Sequence, residues 1–212
     1  MSDTEKNFWD ESWEKIDQER LRQYIAGFDN SSDAIIRELK AYGVLTVCDA
    51  GCGCGIYSLK MAANGFRVSG FDISAHAAKI AQDLLQQAAF SGVFKAANIC
   101  ATDYPDSQFD AVVSRDVLDH VTKKDAVQAI GELYRITRQG GILIFTLDAP
   151  DWEYETQPHI VSNDGDYLFT DGKWKGMAFR PYSESEIRAM LPADAEILLE
   201  SNGEMIVKVK KR

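Results

Sequence analysis

The sequence predicts a doubly wound α/β domain: a mainly parallel seven-stranded sheet with helices on both faces and an inserted antiparallel segment. Three observations carry that prediction. Apolar runs of strand length alternate with helical periodicity from residue 35 to residue 147. The run Val47-Cys-Asp-Ala-Gly-Cys-Gly-Cys-Gly55 reads as a buried strand that ends in an acid and passes into three alternating glycines. After Pro150 the helical periodicity gives way to turn signals at Asn163-Asp-Gly-Asp166 and Asp171-Gly-Lys173. Repeated βαβ spacing calls for parallel strands, and such a sheet binds ligands at the carboxyl ends of its strands.

Each element follows from local chemistry. Ser32 stands where it can cap a first helix carrying Ile35, Ile36, Leu39 and Tyr42, which Gly43 ends. Leu45 to Cys48 is the first strand, Ile56 to Ala63 a helix closed by Asn64-Gly65, and Arg67 to Phe71 the second strand. Ser74 caps a long helix with Ala77, Ile80, Ala81, Leu84 and Ala88 on one face, stopped at Ser91-Gly92. Val93 to Ile99 and Phe109 to Ser114 are the third and fourth strands. Thr122 opens a helix using Val127, Ile130 and Tyr134, and Gly140-Gly141 ends it before the strand Ile142 to Leu147. Residues 159 to 180 read as short antiparallel strands, and Ser183 with Glu186 forms a capping box. Glu196 to Glu200 and Met205 to Lys210 alternate as two last strands around Asn202-Gly203. The expected division is one domain: a lid-like extension (1–30), a core (31–150), an antiparallel insertion (151–182) and a terminal helix with two strands (183–212).

Composition bounds the function. A chain of 212 residues that is 45% hydrophobic can bury a sizeable core. Its formal net charge is −10, and residues 148 to 166 hold six Asp or Glu with no Lys or Arg, so nucleic acid is a disfavoured partner. Cys48, Cys52 and Cys54 are spaced Cys-x3-Cys-x-Cys rather than in zinc-type pairs, and no His lies nearby. They are expected to pack the loop, with no metal site. The start Met-Ser-Asp-Thr-Glu-Lys lacks the apolar stretch of a signal peptide and no run approaches a membrane span, so a cytoplasmic protein without a membrane partner is expected.

The glycine loop is not the dinucleotide fingerprint, which would need glycine where Ile56 stands. Its form D-x-G-x-G-x-G resembles the cofactor loop of class I S-adenosylmethionine-dependent methyltransferases. Asp72 follows the second strand 17 residues beyond Gly55, the place of the acid that grips ribose hydroxyls in nucleotide-binding α/β folds. Phe109-Asp-Ala-Val-Val-Ser-Arg-Asp-Val-Leu-Asp-His-Val121 resembles the family's F-D-x-V-x-x-x-x-x-L-x-H-V segment, and Leu133, Arg135 and Gly140-Gly141 fit its L-x-R-x-x-x-x-G-G pattern. Two positions depart from the family: Asn98 replaces an acid and Gln139 a proline. The resemblance covers roughly residues 40 to 150.

That resemblance implies a Rossmann-like fold, S-adenosylmethionine as cofactor and S-adenosylhomocysteine as product. The residues implied to hold the cofactor are Asp49, Gly51, Gly53, Gly55, Asp72, Ile73, Asn98, Ser114 and Arg115. Asn98 would accept from the adenine amino group through its carbonyl oxygen. The implied reaction is methyl transfer to a small-molecule acceptor by in-line displacement, where positioning alone supplies several kcal/mol, up to about 7–11. His120 is the best-placed titratable group to act as a base, its other role being structural packing beneath the cofactor. Substrate contacts are expected from Trp9, Asp116, Trp152 and Arg180. Arg180 has a second reading as a salt bridge to the acidic insertion. The aromatics of the insertion can be a pocket wall, a small core of their own or the face of a homodimer. Two rival functions stay open at this point: methylation of protein or RNA, and cofactor binding without catalysis.

Overall fold

Continuous runs of Val, Ile, Ala and Phe, buried on both faces, place the central strands side by side in the computed structural model. The structure describes residues 3–16, 19, 21, 23, 25, 27–148, 152–200 and 202–212. Helix α1 (Asp3–Glu14) and helix α2 (Ala34–Ala41) precede a core in which strands and helices alternate: β1 (Thr46–Ala50), α3 (Ile56–Ala63), β2 (Arg67–Asp72), α4 (Ala75–Gln87), β3 (Phe94–Ala96), β4 (Phe109–Ser114), α5 (Lys123–Ile136) and β5 (Thr137–Leu147). An inserted segment follows, with α6 (Trp152–Thr156), β6 (His159–Val161), β7 (Tyr167–Phe169), a 3-10 turn (Gly172–Trp174) and β8 (Ala178–Phe179). Helix α7 (Glu184–Met190) and strands β9 (Glu196–Leu199) and β10 (Met205–Lys210) close the chain.

The sheet has the order β3-β2-β1-β4-β5-β10-β9, with seven strands. Neighbours from β3 to β5 run parallel, whereas β10 is antiparallel to both β5 and β9. Because side chains alternate along a strand, β4 sends Ala111 and Val113 to one face and Val112 to the other. The first face packs under α2, α3 and α4 through Ile36, Leu39, Met61, Ala81 and Leu85. The second packs under α5 and α7 through Ala126, Ala129, Leu133 and Ile187. The doubly wound, mainly parallel seven-stranded sheet is therefore the architecture the sequence predicts.

Several boundaries differ from the sequence reading for physical reasons. Asp33, not Ser32, caps α2, its carboxylate accepting from the Ile36 N–H at 2.9 Å. Strand β1 runs on through Asp49 to Ala50, because Asp49 pairs with Gly70 on one side and Val113 on the other. Helix α4 stops at Gln87, before Ser91-Gly92, as Ala89 turns left-handed at φ 60. Helix α5 ends at Ile136 and β5 begins at once, so Gly140-Gly141 is an irregularity inside the strand rather than a helix stop. A Cβ at position 141 would lie 2.5 Å from the Asp110 carbonyl oxygen, which explains the glycine there. Ser74, Thr122 and the Ser183–Glu186 capping box cap their helices as the sequence predicts.

The insertion is a three-stranded antiparallel sheet, β6-β7-β8, with a core of its own. Phe169, Met177 and Phe179 are buried beneath Phe8, Trp9, Tyr154, Tyr167 and Trp174. Tyr154 stacks on Phe179 with ring centroids 3.8 Å apart. Of the three readings left open for these aromatics, most form a small core, and α1 supplies one wall of it. Arg180 fastens this unit to the main fold. It is 5% exposed, binds the Asp164 carbonyl oxygen and Glu186, and lies 3.5 Å from Asp166.

Gly55 opens α3 at φ 83, and a Cβ there would sit 2.8 Å from both Cα and Cβ of Ala81 in α4. Its glycine is demanded by helix packing and by backbone sign together. Gly55→Ala is expected to destabilise the fold by about 1–3 kcal/mol, read as a lower midpoint in thermal or urea unfolding.

Candidate active site

A cavity of about 320 Å³ opens along the carboxyl ends of β1, β2 and β4. The glycine loop makes its floor because the end of β2 holds it: the N–H groups of Gly51 and Cys52 donate to the Phe71 carbonyl oxygen at 2.8 and 2.9 Å. The Gly53 N–H donates to Asp72 Oδ2 at 2.9 Å, while Asp72 Oδ1 accepts from the Ser74 N–H at 2.9 Å. All three glycines of the loop take positive φ, so the path is one that residues with a Cβ resist. Trp13 lies against Gly53, where a Cβ would approach its ring to 2.9 Å.

Buried carboxylates line this floor. Asp49 is held by the Ser58 hydroxyl, and burial pushes its carboxyl up to about 6. Asp72 is likewise pushed up to about 6, chiefly by burial, against the pull of the Ser74 and Gly53 N–H groups. Ile73, Ala97 and Ile99 add an apolar wall next to Asp72, and Trp9 and Trp13 form the roof.

The other end of the cavity lies beyond β4. Arg115 stacks over the Tyr57 ring at 4.6 Å from its centroid. Asp116 is held in the left-handed region at φ 55 by a single hydroxyl: Thr146 Oγ1 accepts its N–H at 3.0 Å and donates to its Oδ1 at 2.6 Å. His120 is 9% exposed and wedged among Trp9, Tyr154 and Phe179, with ring centroids 5.5, 6.2 and 5.7 Å away. Its Nε2 lies 3.9 Å from Asp148 Oδ2, and its Nδ1 has no hydrogen-bond partner. Burial holds this imidazole below its ordinary value, against the pull of Asp148 and Asp116. Asp119, fully buried, accepts the Asp148 N–H through Oδ2 at 2.8 Å, and its Oδ1 has no partner.

Of the residues singled out from sequence, Asp49, Gly51, Gly53, Asp72, Ile73, Arg115, Asp116, His120 and Trp9 line this cavity. Five others do not. Gly55 serves helix packing. Ser114 is buried and its hydroxyl donates to the Ala50 carbonyl oxygen at 2.9 Å, fastening β4 to β1. Asn98 spends its carbonyl oxygen on the Cys100 N–H at 2.9 Å within its own turn, while its neighbours Ala97 and Ile99 face the cavity. Trp152 is 73% exposed and stands apart from the cavity. Arg180 is consumed by its carboxylates, the salt bridge being its role. Sequence reasoning missed Tyr57, which no periodicity distinguishes from a core aromatic, and the pairing of Asp119 with Asp148. The four cysteines are buried, and Cys52 and Cys54 border the cavity as small packing groups.

Residues 48–145, from within β1 to within β5, match the protein family described as "Methyltransferase domain". The match spans just under half of the chain, and this segment resembles a methyltransferase domain. Among curated relatives the chain is 40% identical over 122 residues to a malonyl-[acyl-carrier protein] O-methyltransferase of Enterobacter lignolyticus, covering 57% of this chain and 46% of that protein. It is 34% identical over 103 residues to a ubiquinone biosynthesis O-methyltransferase of Nitrosomonas europaea, covering 48% and 43%. The chain thus spans less than half the length of these relatives. The fold is shared more widely. A methyltransferase structure from Methanosarcina mazei superposes with a TM-score of 0.68 at 22% identity, over 85% of this chain and 98% of that one. The 1,6-didemethyltoxoflavin-N1-methyltransferase of Burkholderia thailandensis gives 0.69 at 16% identity, over 98% and 87%. No helix among the described residues is long and apolar enough to cross a membrane.

The cofactor of such a domain, S-adenosylmethionine, carries a sulfonium charge and ribose hydroxyls, both of which favour ionised carboxylates. Without ligand, Asp49 and Asp72 each titrate near 6 rather than at 3.8, so burial disfavours their charged forms and these two groups make the free fold relatively more stable as pH falls through 6 toward 4. Binding reverses the preference and releases protons. Affinity for S-adenosylmethionine is therefore expected to hold above pH 6 and to weaken as pH falls below it, as calorimetry in buffers of differing ionisation enthalpy will show.

Proposed function

We propose that this chain is an enzyme that transfers the methyl group of S-adenosylmethionine to a hydroxyl of a small molecule. One observation carries the reading: a single cavity runs from the glycine loop with Asp49 and Asp72 to Arg115, Asp116 and His120 beyond β4, beneath a tryptophan roof. A cofactor seated on the loop, with its ribose at Asp72 and its adenine along Ile73, Ala97 and Ile99, points its methyl toward the His120 end. Oxygen as the acceptor atom is supported by the two relatives named above, both O-methyltransferases.

In the reaction the acceptor oxygen forms a bond to the methyl carbon as the carbon–sulfur bond breaks, and the bonding pair stays on sulfur. The hydroxyl proton passes to the His120 imidazole. A positively charged sulfonium becomes a neutral thioether, so the chemistry needs alignment and a dry pocket more than a covalent intermediate. Trp9 and Trp13 exclude water from above, Arg115 and Asp116 orient the acceptor's polar groups, and His120 is the catalytic side chain that faces the reacting hydroxyl. An acidic chain and a roofed cavity of this volume favour a metabolite over a nucleic acid.

The test is methyl transfer from labelled S-adenosylmethionine into a pooled metabolite extract, with protein and RNA fractions in parallel. Label in small molecules is the expected outcome. Label in macromolecules alone, or tight binding with no transfer to any fraction, overturns the reading. With the acceptor in hand, His120→Gln is expected to lower kcat by roughly 10²–10⁴ while cofactor affinity changes little.

A further inference from the structure

We propose that Asp119, His120 and Asp148 form a divalent-cation site beside the cavity. Each offers one ligand atom, and the three atoms lie within 4.8 Å of one another. Asp119 and His120 follow β4 and Asp148 follows β5, so adjacent parallel strands deliver the set. The donors are two carboxylates and one imidazole, a combination suited to Mn²⁺, Mg²⁺ or Zn²⁺.

A second observation is independent of that proximity. The His120 ring is nine-tenths buried, yet neither nitrogen is hydrogen-bonded: Nδ1 has no partner, and Nε2 faces Asp148 Oδ2 at 3.9 Å. That distance is too long for a hydrogen bond and would suit two ligands of one ion. Buried Oδ1 of Asp119 is also without a partner, although its Oδ2 is satisfied by the Asp148 N–H. A purely structural clasp between β4 and β5 accounts for Oδ2 and leaves Oδ1 and the imidazole unexplained. Buried polar groups are nearly always paired, so the orphaned Asp119 Oδ1, beside an Nε2 that faces Asp148 Oδ2 without a hydrogen bond, calls for a ligand. Among the described residues no Lys or Arg forms an ion pair with Asp119 or Asp148. Asp116 and Glu204 add to the same negative field.

The ligands are held on rigid supports. The Asp148 N–H fixes the Asp119 carboxylate, the Arg180 N–H donates to the Asp119 carbonyl oxygen at 2.7 Å, and three aromatic rings grip the imidazole. His120 borders the cavity, so an acceptor oxygen there can take an open position on the ion. An oxygen bound to a divalent cation loses its proton more readily, and the proton passes to solvent as the methyl arrives. On this account His120 acts as a ligand and not as the base. That consequence rests on the methyl-transfer reading, whereas the site itself does not.

The experiment uses the full chain after chelator treatment. Mn²⁺ uptake is followed by the loss of the free-ion paramagnetic resonance signal, and Mg²⁺ and Zn²⁺ uptake by calorimetry. One ion per chain is expected, with Asp148→Asn and His120→Gln each weakening uptake at least about tenfold. Asp106→Asn, at an exposed ion pair with Arg135, serves as a control expected to leave uptake unchanged. Circular dichroism and S-adenosylmethionine affinity confirm that each variant is folded. No uptake of any of the three ions up to about 1 mM, or equal uptake in the Asp148 and His120 variants, overturns the site. Intact methyl transfer in the presence of chelator would sink the site's catalytic role and leave methyl transfer standing. Ion uptake without transfer would do the reverse.

Discussion

The end of β2 holds the glycine loop, and the candidate site depends on that attachment. The carbonyl oxygen of Phe71 takes two successive loop N–H groups and the Asp72 carboxylate takes a third. A loop with three left-handed glycines has a large conformational freedom to lose, and these bonds fix it before any ligand arrives. The same carboxylate is thereby kept buried and aimed at the cavity. Its raised proton affinity is the cost of that placement, and bound cofactor would relieve it.

From this anchor the rest of the cavity is laid out by sheet order. Strand β2 supplies Asp72, β1 supplies Asp49 and the residues after β4 supply Arg115, Asp116 and His120, while Thr146 of β5 and Asp148 just beyond it stand behind them. Polar side chains that seem surplus in a core have particular duties. The Ser58 hydroxyl satisfies Asp49, the Ser114 hydroxyl joins two strands, and Thr146 holds Asp116 in a conformation its side chain disfavours. In the Asp119, His120 and Asp148 cluster, by contrast, Asp119 Oδ1 and His120 Nδ1 find no such partner among the described residues.

Sheet and helices were legible because buried parallel strands read as uninterrupted apolar runs and helix caps carry definite chemistry. Asp49, Gly51, Gly53 and Asp72 were legible because a strand-to-helix crossing fixes where residues at such spacings must stand. Gly55, Asn98 and Ser114 stand off the cavity lining for one shared reason. A motif names residue types, but only the fold shows that a Cβ would strike Ala81, that a carbonyl oxygen is spent on Cys100, or that a hydroxyl is spent on Ala50. The partnership of Asp119 with Asp148 was invisible because it joins two strands far apart in sequence. Arg180 illustrates the opposite case, where charge complementarity with the acidic insertion already pointed to Asp166 as a partner.

The small aromatic core shared by α1 and the insertion has a bearing on how the protein is made. Phe8 and Trp9 rest on Phe169, Met177 and Phe179, which leave the ribosome long after the amino-terminal helix does. Strands β1 to β5 and helices α2 to α5 are in hand well before that moment, but Phe8 and Trp9 still lack the insertion on which they pack. Order of synthesis therefore makes the open cradle first and the closed cavity last. A nascent chain passes through a stage in which the cofactor floor exists under open solvent, and the acceptor chamber is sealed only when the insertion folds onto the earlier helix α1.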